Sequence, residues 1–141
     1  MKGIMSTAEW QVMRVLWAHP DSGSSQIIDY LQADFEWKPS TVKTLLTRLK
    51  DKGLIEAQAE GKRFVYRAVT SEQQELEKMG QEWLDNQCQT KHGEHLLALL
   101  KQAQLTQSDL ENLVAWAETV KETAPTQVAC SCLPGQCDCH A

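Results

Sequence analysis

Thr41-Val42-Lys43-Thr44-Leu45-Leu46-Thr47-Arg48-Leu49-Lys50-Asp51-Lys52-Gly53-Leu54-Ile55 is the stretch that decides the fold. At the helical angular step, Val42, Leu45, Leu46 and Leu49 fall on one face of a helix. The spacing predicts that helix from about Ser40 to Lys52, with Gly53 as its stop. Ser40, Thr44 and Thr47 fall on the opposite face, flanked by Lys43 and Arg48. One side therefore belongs to a core. The other carries short hydroxyls between cations, which reach phosphates and base edges. A helix built only to face water would more often carry Glu and Gln there. Asp51 also lies outward, at the far end from the groups that would meet phosphate.

Upstream, Ser6 and Glu9 form a capping box, and Trp10, Met13, Leu16 and Trp17 recur at helical spacing. Pro20 ends that helix near His19. Asp21-Ser22-Gly23-Ser24-Ser25 reads as a turn and a second cap. Ile27, Ile28, Leu31 and Phe35 form the apolar face of a second helix. Downstream, Leu54-Ile55-Glu56-Ala57 is a short strand, Glu60-Gly61-Lys62 a turn, and residues 63–69 a second, aromatic and β-branched strand. Three helices and a β-hairpin in this order are a winged helix-turn-helix, assigned to residues 1–70. The expected nucleic-acid contacts are Ser40, Thr41, Lys43, Thr44, Thr47 and Arg48 on the third helix, with Lys62 and Arg63 on the wing.

Residues 71–122 read as three short amphipathic helices. Leu76, Met79, Trp83 and Leu84 mark the first; Leu96, Leu97, Leu99 and Leu100 the second; Leu110, Leu113, Val114 and Ala117 the third, capped by Thr106 or Ser108. Three short helices bury little among themselves, so their leucines and tryptophan are expected to meet another copy of the chain. The expected homodimer contacts are Leu76, Met79, Trp83, Leu96, Leu97, Leu100, Leu110, Leu113 and Val114. Packing back onto the first domain is the other use of the same face. Residues 123–129 form a linker, and 130–141 a cysteine tail. The fold class is mainly α with a small β-hairpin.

Net charge conceals the organisation. The chain carries −5 overall, yet residues 38–67 hold eight basic and three acidic side chains. A basic block in an acidic chain is an electrostatic footprint that the whole-chain balance hides. On charge alone, a basic solvated surface explains it equally well. No apolar run suits a membrane span, and the first residues lack the apolar stretch of a signal peptide. The expected compartment is the cytoplasm, where thiols stay reduced. No nucleophile is paired with a base and no glycine-rich phosphate loop occurs, so an enzyme is not expected.

Four of the five cysteines lie in the tail, as Cys130-Ser131-Cys132 and Cys137-Asp138-Cys139. In extended chain, residues two apart point the same way, so each arm offers two sulfurs to one side. Leu133-Pro134-Gly135-Gln136 suits a type II turn that folds one arm on the other. Four thiolates take Zn(II) tetrahedrally, and soft sulfur also selects Cu(I). The compact spacing favours a copper-capable cluster over the usual structural zinc knuckle. A pair of disulfides is the alternative, disfavoured by a reducing compartment. Cys88 reads as an inert cysteine beside Trp83 and Leu84 on a helical stretch, and His92 and His95 as surface. His140 could join the metal, but four sulfurs already fill a zinc site.

Ala8-Glu9-Trp10-Gln11-Val12-Met13-Arg14-Val15-Leu16-Trp17 and the 41–55 stretch resemble the BlaI/MecI family of winged-helix repressors, over roughly residues 5 to 122. The tail is similar to that of the family's copper-responsive, CopY-type branch, marked by Cys-x-Cys-x4-Cys-x-Cys. The resemblance implies a helical dimerisation region, an inverted-repeat operator and repression of copper-export genes. It further implies a Zn(II)-loaded form that binds DNA, Cu(I) as the inducer, and metal held by Cys130, Cys132, Cys137 and Cys139. A copper chaperone donating Cu(I) is a further partner compatible with that expectation. A thiolate copper-storage or delivery protein is the reading from another class, although it leaves the basic block unused. A repressor with a purely structural zinc tail also stays open.

Overall fold

The computed structural model describes residues 5–139; His140 lies outside them. The chain divides into two compact units, Met1–Lys78 and Met79–Ala141.

The first unit opens with α1, Thr7–Ala18, whose start is closed by the Ser6/Glu9 capping box in both directions. Two residues, Ser22–Gly23, form β1, and α2 follows at Ser24–Gln32. The Gln26 side chain accepts the Gly23 N–H at 2.9 Å and so closes the start of α2. α3 spans Pro39–Asp51 with proline in its first turn, where no N–H is needed. Gly53 then takes a φ of 74°, the left-handed conformation that ends a helix without a Cβ penalty. β2, Ile55–Glu60, and β3, Arg63–Ala68, form an antiparallel hairpin closed by Gly61 and Lys62.

The sheet differs from the sequence expectation in two respects. It has three strands in the order β1-β3-β2, because Ser22 and Gly23 pair with Tyr66 and Val65. A two-residue strand is too short to show alternation, so it reads as turn in the sequence. β2 also extends past Ala57, with Gln58 opposite Val65 and Ala59 opposite Phe64. Those residues have weak strand preference and are held by their partner strand. Phe35 lies beyond the end of α2, yet still packs against the core and stacks on Trp37, ring centroids 4.6 Å apart.

The core gathers Val12, Met13 and Leu16 of α1, Ile27 and Leu31 of α2, the four apolar residues of α3, and Leu54, Ile55 and Val65. Val42, Leu45, Leu46 and Leu49 are all buried, so the helical-wheel assignment of α3 holds. The Trp17 indole N–H donates to the Thr70 carbonyl at 2.8 Å and ties the end of the wing to α1. Lys52 meets the buried Glu9 carboxylate at 2.8 Å and ties the end of α3 to the start of α1.

α4, Glu72–Asp85, carries the chain from the first unit into the second. A short 3-10 turn, Gln89–Lys91, leads into α5, His92–Gln102. α6, Gln107–Lys121, starts at Thr106, whose hydroxyl accepts the Asp109 N–H while Asp109 accepts the Thr106 N–H. No residue of α5 or α6 is buried. Leu133-Pro134-Gly135-Gln136 closes the expected turn, with the Gln136 N–H donating to the Leu133 carbonyl at 3.0 Å and Gly135 at a φ of 88°.

Candidate nucleic-acid interface and metal centre

The outer face of α3 presents Ser40, Thr41, Lys43, Thr44, Thr47 and Arg48, all exposed. The Thr44 hydroxyl donates to the Ser40 carbonyl at 2.9 Å, and the Thr47 hydroxyl to the Lys43 carbonyl at 3.0 Å. Their protons are thus committed to the helix itself. Each hydroxyl offers outward an oxygen that accepts, beside a methyl group. Such a face suits the amino donors of cytosine or adenine and the thymine methyl. Phosphate oxygens, which only accept, suit the cations beside it.

The basic block of the sequence separates into two groups. Lys52 is engaged with Glu9, and Arg67 makes a two-pronged pair with Asp21 at 3.0 Å for each hydrogen bond. Among the described residues, Lys38, Lys43, Arg48, Lys50, Lys62 and Arg63 make no ion pair. Lys62 sits in the hairpin turn and Arg63 opens β3 opposite Glu60. Phe64 is exposed beside them on the wing, a position the sequence pattern does not single out.

In the second unit, Leu97, Leu100, Leu105, Leu110, Leu113 and Val114 line an apolar groove of about 610 Å³ between α5 and α6. Leu96 and Met79 are exposed as well, Trp83 is half-buried, and Trp116 is 64% exposed. In the first unit, Leu76 is likewise exposed.

The thiols converge. Cys88 does not lie on a helix, as its neighbours in sequence suggest, but in the connection between α4 and the 3-10 turn. Its sulfur, with those of Cys130, Cys132 and Cys137, forms a set in which all lie within 4.8 Å of one another. Cys130 and Cys137 are 3.3 Å apart, so the turn does fold one arm onto the other. Cys139 stands outside that mutually close set, 3.6 Å from Cys88 and 3.5 Å from the Thr90 hydroxyl. All five cysteines are free thiols. The sequence signal for Cys88 is the odd count of cysteines, one more than the two arms need.

Two hydrogen bonds fasten the tail beside Cys88. The Gln89 N–H donates to the Ser131 hydroxyl at 3.3 Å, and the Gln89 side-chain amide donates to the Ala129 carbonyl. The histidines brace the same junction rather than standing free: His92 Nε2 is 2.8 Å from the Leu84 carbonyl, and His95 bonds to Gln87.

The thiols do not titrate alike. Hydrogen bonds from the Thr90 hydroxyl and backbone hold the Cys88 thiol down to about 5. Burial, then hydrogen bonds to Cys88 and Cys137, push Cys132 up to about 11. At Cys130 the Cys132 N–H favours the thiolate, but contacts with Cys137 and Cys88 and burial outweigh it and raise the group to about 12. The Cys139 N–H and neighbouring thiols lower Cys137. Thr90 favours a thiolate at Cys139, yet Cys137 and Cys88 raise it overall. Negative charge thus settles on some sulfurs at the expense of others, as expected where like charges crowd. A cation among them would favour ionisation of the whole set.

The penicillinase repressor family matches residues 5–119. The chain belongs to that family. It is 40% identical over 136 residues to an uncharacterized 16.5 kDa protein in the ptsI 3′ region of Latilactobacillus sakei, covering 96% of this chain and 93% of that protein. It is 28% identical over 109 residues to the methicillin resistance regulatory protein MecI of Staphylococcus aureus, covering 77% of this chain and 89% of that one. Among solved structures it is similar to the DNA-binding domain of the repressor BlaI, with 38% identity, a TM-score of 0.47, and coverage of 51% of this chain and 90% of that one. The family is one of transcriptional repressors, not enzymes. Its region of match ends before the thiol tail, whereas the likeness to the Latilactobacillus sakei protein is long enough to enter it. Among the described residues, no helix is long and apolar enough to cross a membrane.

Proposed function

We propose that this penicillinase repressor-family chain is a homodimeric, copper-responsive repressor of copper-homeostasis genes, acting in the cytoplasm, with the tail thiolates as its sensor. The observation that carries the reading is the convergence of soft thiol donors on a chain of a repressor family. Zinc–thiolate bonds of about 2.3 Å give a tetrahedron with sulfur–sulfur edges of roughly 3.8 Å. The mutually close sulfurs, all within 4.8 Å, suit that size. Of the expected tail ligands, Cys130, Cys132 and Cys137 belong to that set and would hold the ion, while Cys139 stands outside it; Zn(II) would supply a closed tetrahedral centre that fixes the two arms to each other. Soft sulfur favours Cu(I), so the same thiols suit it as the inducing signal, delivered by a copper chaperone.

Two features support the remaining parts. The α3 face and the wing supply the contacts to operator DNA: Ser40, Thr41, Lys43, Thr44, Thr47, Arg48, Lys62 and Arg63. Two copies would place two such helices in successive major grooves of an inverted repeat. Since α5 and α6 bury nothing of their own, a second copy is the partner that covers the groove between them. Leu97, Leu100, Leu110, Leu113 and Val114 line that groove, and the exposed or half-buried Leu76, Met79, Trp83 and Leu96 would add further contacts to the second copy.

The test starts from an operator recovered by selection on random duplexes. Cu(I) is titrated into the zinc-loaded protein bound to that DNA, with released zinc and DNA occupancy read from one sample. Zinc release and DNA dissociation should occur together. DNA that stays bound while copper fills the thiolates would overturn copper sensing and leave a structural zinc tail.

A further inference from the structure

We propose that Cys88 is a metal ligand, and that it completes the four-thiolate site in place of Cys139 and so clamps the tail to the α4–α5 junction. The inference rests on the reading above that the tail thiolates bind metal. Three observations carry it. Cys88, Cys130, Cys132 and Cys137 are mutually within 4.8 Å, whereas Cys139 stands outside that set and is exposed. The Cys88 sulfur lies 3.7 Å from that of Cys130, close to the roughly 3.8 Å edge of a zinc–thiolate tetrahedron. The approach is not left to the sulfurs alone, because Gln89 holds the tail on both sides of Cys130 through Ala129 and Ser131.

The junction is built to hold a ligand in place. Cys88 caps the 3-10 turn, and His92 and His95 bond back across it to Leu84 and Gln87. Ligands on a braced element are positioned better than ligands on a free tail. A tail holding metal through its own two arms would be a self-contained knot. A tail holding metal through Cys88 is docked, and its metal state is coupled to the helices on either side. Cys139, 3.6 Å from Cys88, is then the spare thiolate, available when more than one soft ion must be accommodated.

The test uses the full chain loaded with Co(II), whose sulfur-to-metal charge-transfer absorption grows with the number of bound thiolates. Wild type, Cys139→Ser and Cys88→Ser/Cys139→Ser are compared, with zinc–sulfur coordination numbers from X-ray absorption as a second count. Wild type and Cys139→Ser should both show four thiolates per metal. The double variant, left with three, should lose about a quarter of the absorption. If Cys139→Ser already drops to three while wild type shows four, Cys88 is not a ligand and the metal reading survives. If wild type itself takes up no Co(II) or zinc, the metal reading fails and this inference with it. Cys139 is exposed, so its replacement leaves the folded units intact, which circular dichroism checks.

Discussion

Replacing Lys43 with alanine tests the assignment of the α3 face through salt rather than through affinity alone. Lys43 is exposed, makes no ion pair among the described residues, and lies one position before Thr44 on the same helix. Its removal leaves the buried face of α3 untouched, so the fold is retained. Each neutralised phosphate contributes about 0.9 to the slope of log K against log salt for duplex DNA. A dimer has two such lysines, so the variant's slope should be shallower by about 1.8. Between roughly 50 and 200 mM salt, a fourfold change, its deficit against wild type should shrink by a factor of about 12. Fluorescence anisotropy on the selected operator over that range measures both slopes. Parallel slopes would refute the placement of Lys43 on phosphate. A deficit that varied with base sequence instead would make Lys43 a base contact.

Three other substitutions probe separate parts of the molecule. Thr44→Val keeps the outward methyl and removes the acceptor oxygen; operator affinity should fall by about 1 kcal/mol, or roughly fivefold, and most at one base position per half-site. Leu97→Asp places a charge in the α5–α6 groove, where Leu97 is 52% exposed in the single chain; sedimentation should show a monomer with an intact first unit. Glu9→Gln keeps the cap at Ser6 but removes the charge facing Lys52, and should cost about 1–2 kcal/mol at neutral pH, discounted for the partial exposure of Lys52. Burial opposes ionisation of Glu9, but hydrogen bonds from Lys52 and Ser6 prevail and hold its carboxyl below the ordinary 4.5. Its contribution is therefore present above pH 4.5 and lost as pH falls through the lower folded value, so denaturant midpoints of variant and wild type should converge in acid.

The legible parts of this chain are those governed by local periodicity. Val42, Leu45, Leu46 and Leu49 identify α3 because burial selects residues at helical spacing, and Ser6 with Glu9 marks the start of α1 because capping is a local reaction. The illegible parts depend on partners distant in sequence. Ser22 and Gly23 become a strand only because Tyr66 and Val65 lie beside them, and Gln58 and Ala59 are held in β2 by β3. Charge suffers the same limitation: nothing local distinguishes Lys52 and Arg67, paired with Glu9 and Asp21, from Lys43 and Arg48, which make no ion pair among the described residues. The site divides likewise. The Leu133–Gln136 turn follows from proline and glycine, whereas the approach of Cys88 to Cys130 spans 42 residues and leaves no periodic trace.

That approach bears on how the proposed metal signal would leave the tail. Under the proposed exchange, one Zn(II) on four thiolates and two Cu(I) on four thiolates would carry the same net charge of −2. A response would then come from geometry, nuclearity or ordering of the tail. With Cys88 in the site, a change of coordination acts three residues beyond the end of α4, the helix that connects the two compact units. Amide exchange then provides the decisive readout. Exchanging Zn(II) for Cu(I) should alter protection in the last turn of α4, residues 82–85, and at Gln89, whose N–H is bound to Ser131. A switch confined to the tail would alter protection only beyond residue 129. Because coupling of about 1–3 kcal/mol corresponds to a change of 5- to 150-fold in the opening equilibrium, the difference lies well within what exchange rates resolve.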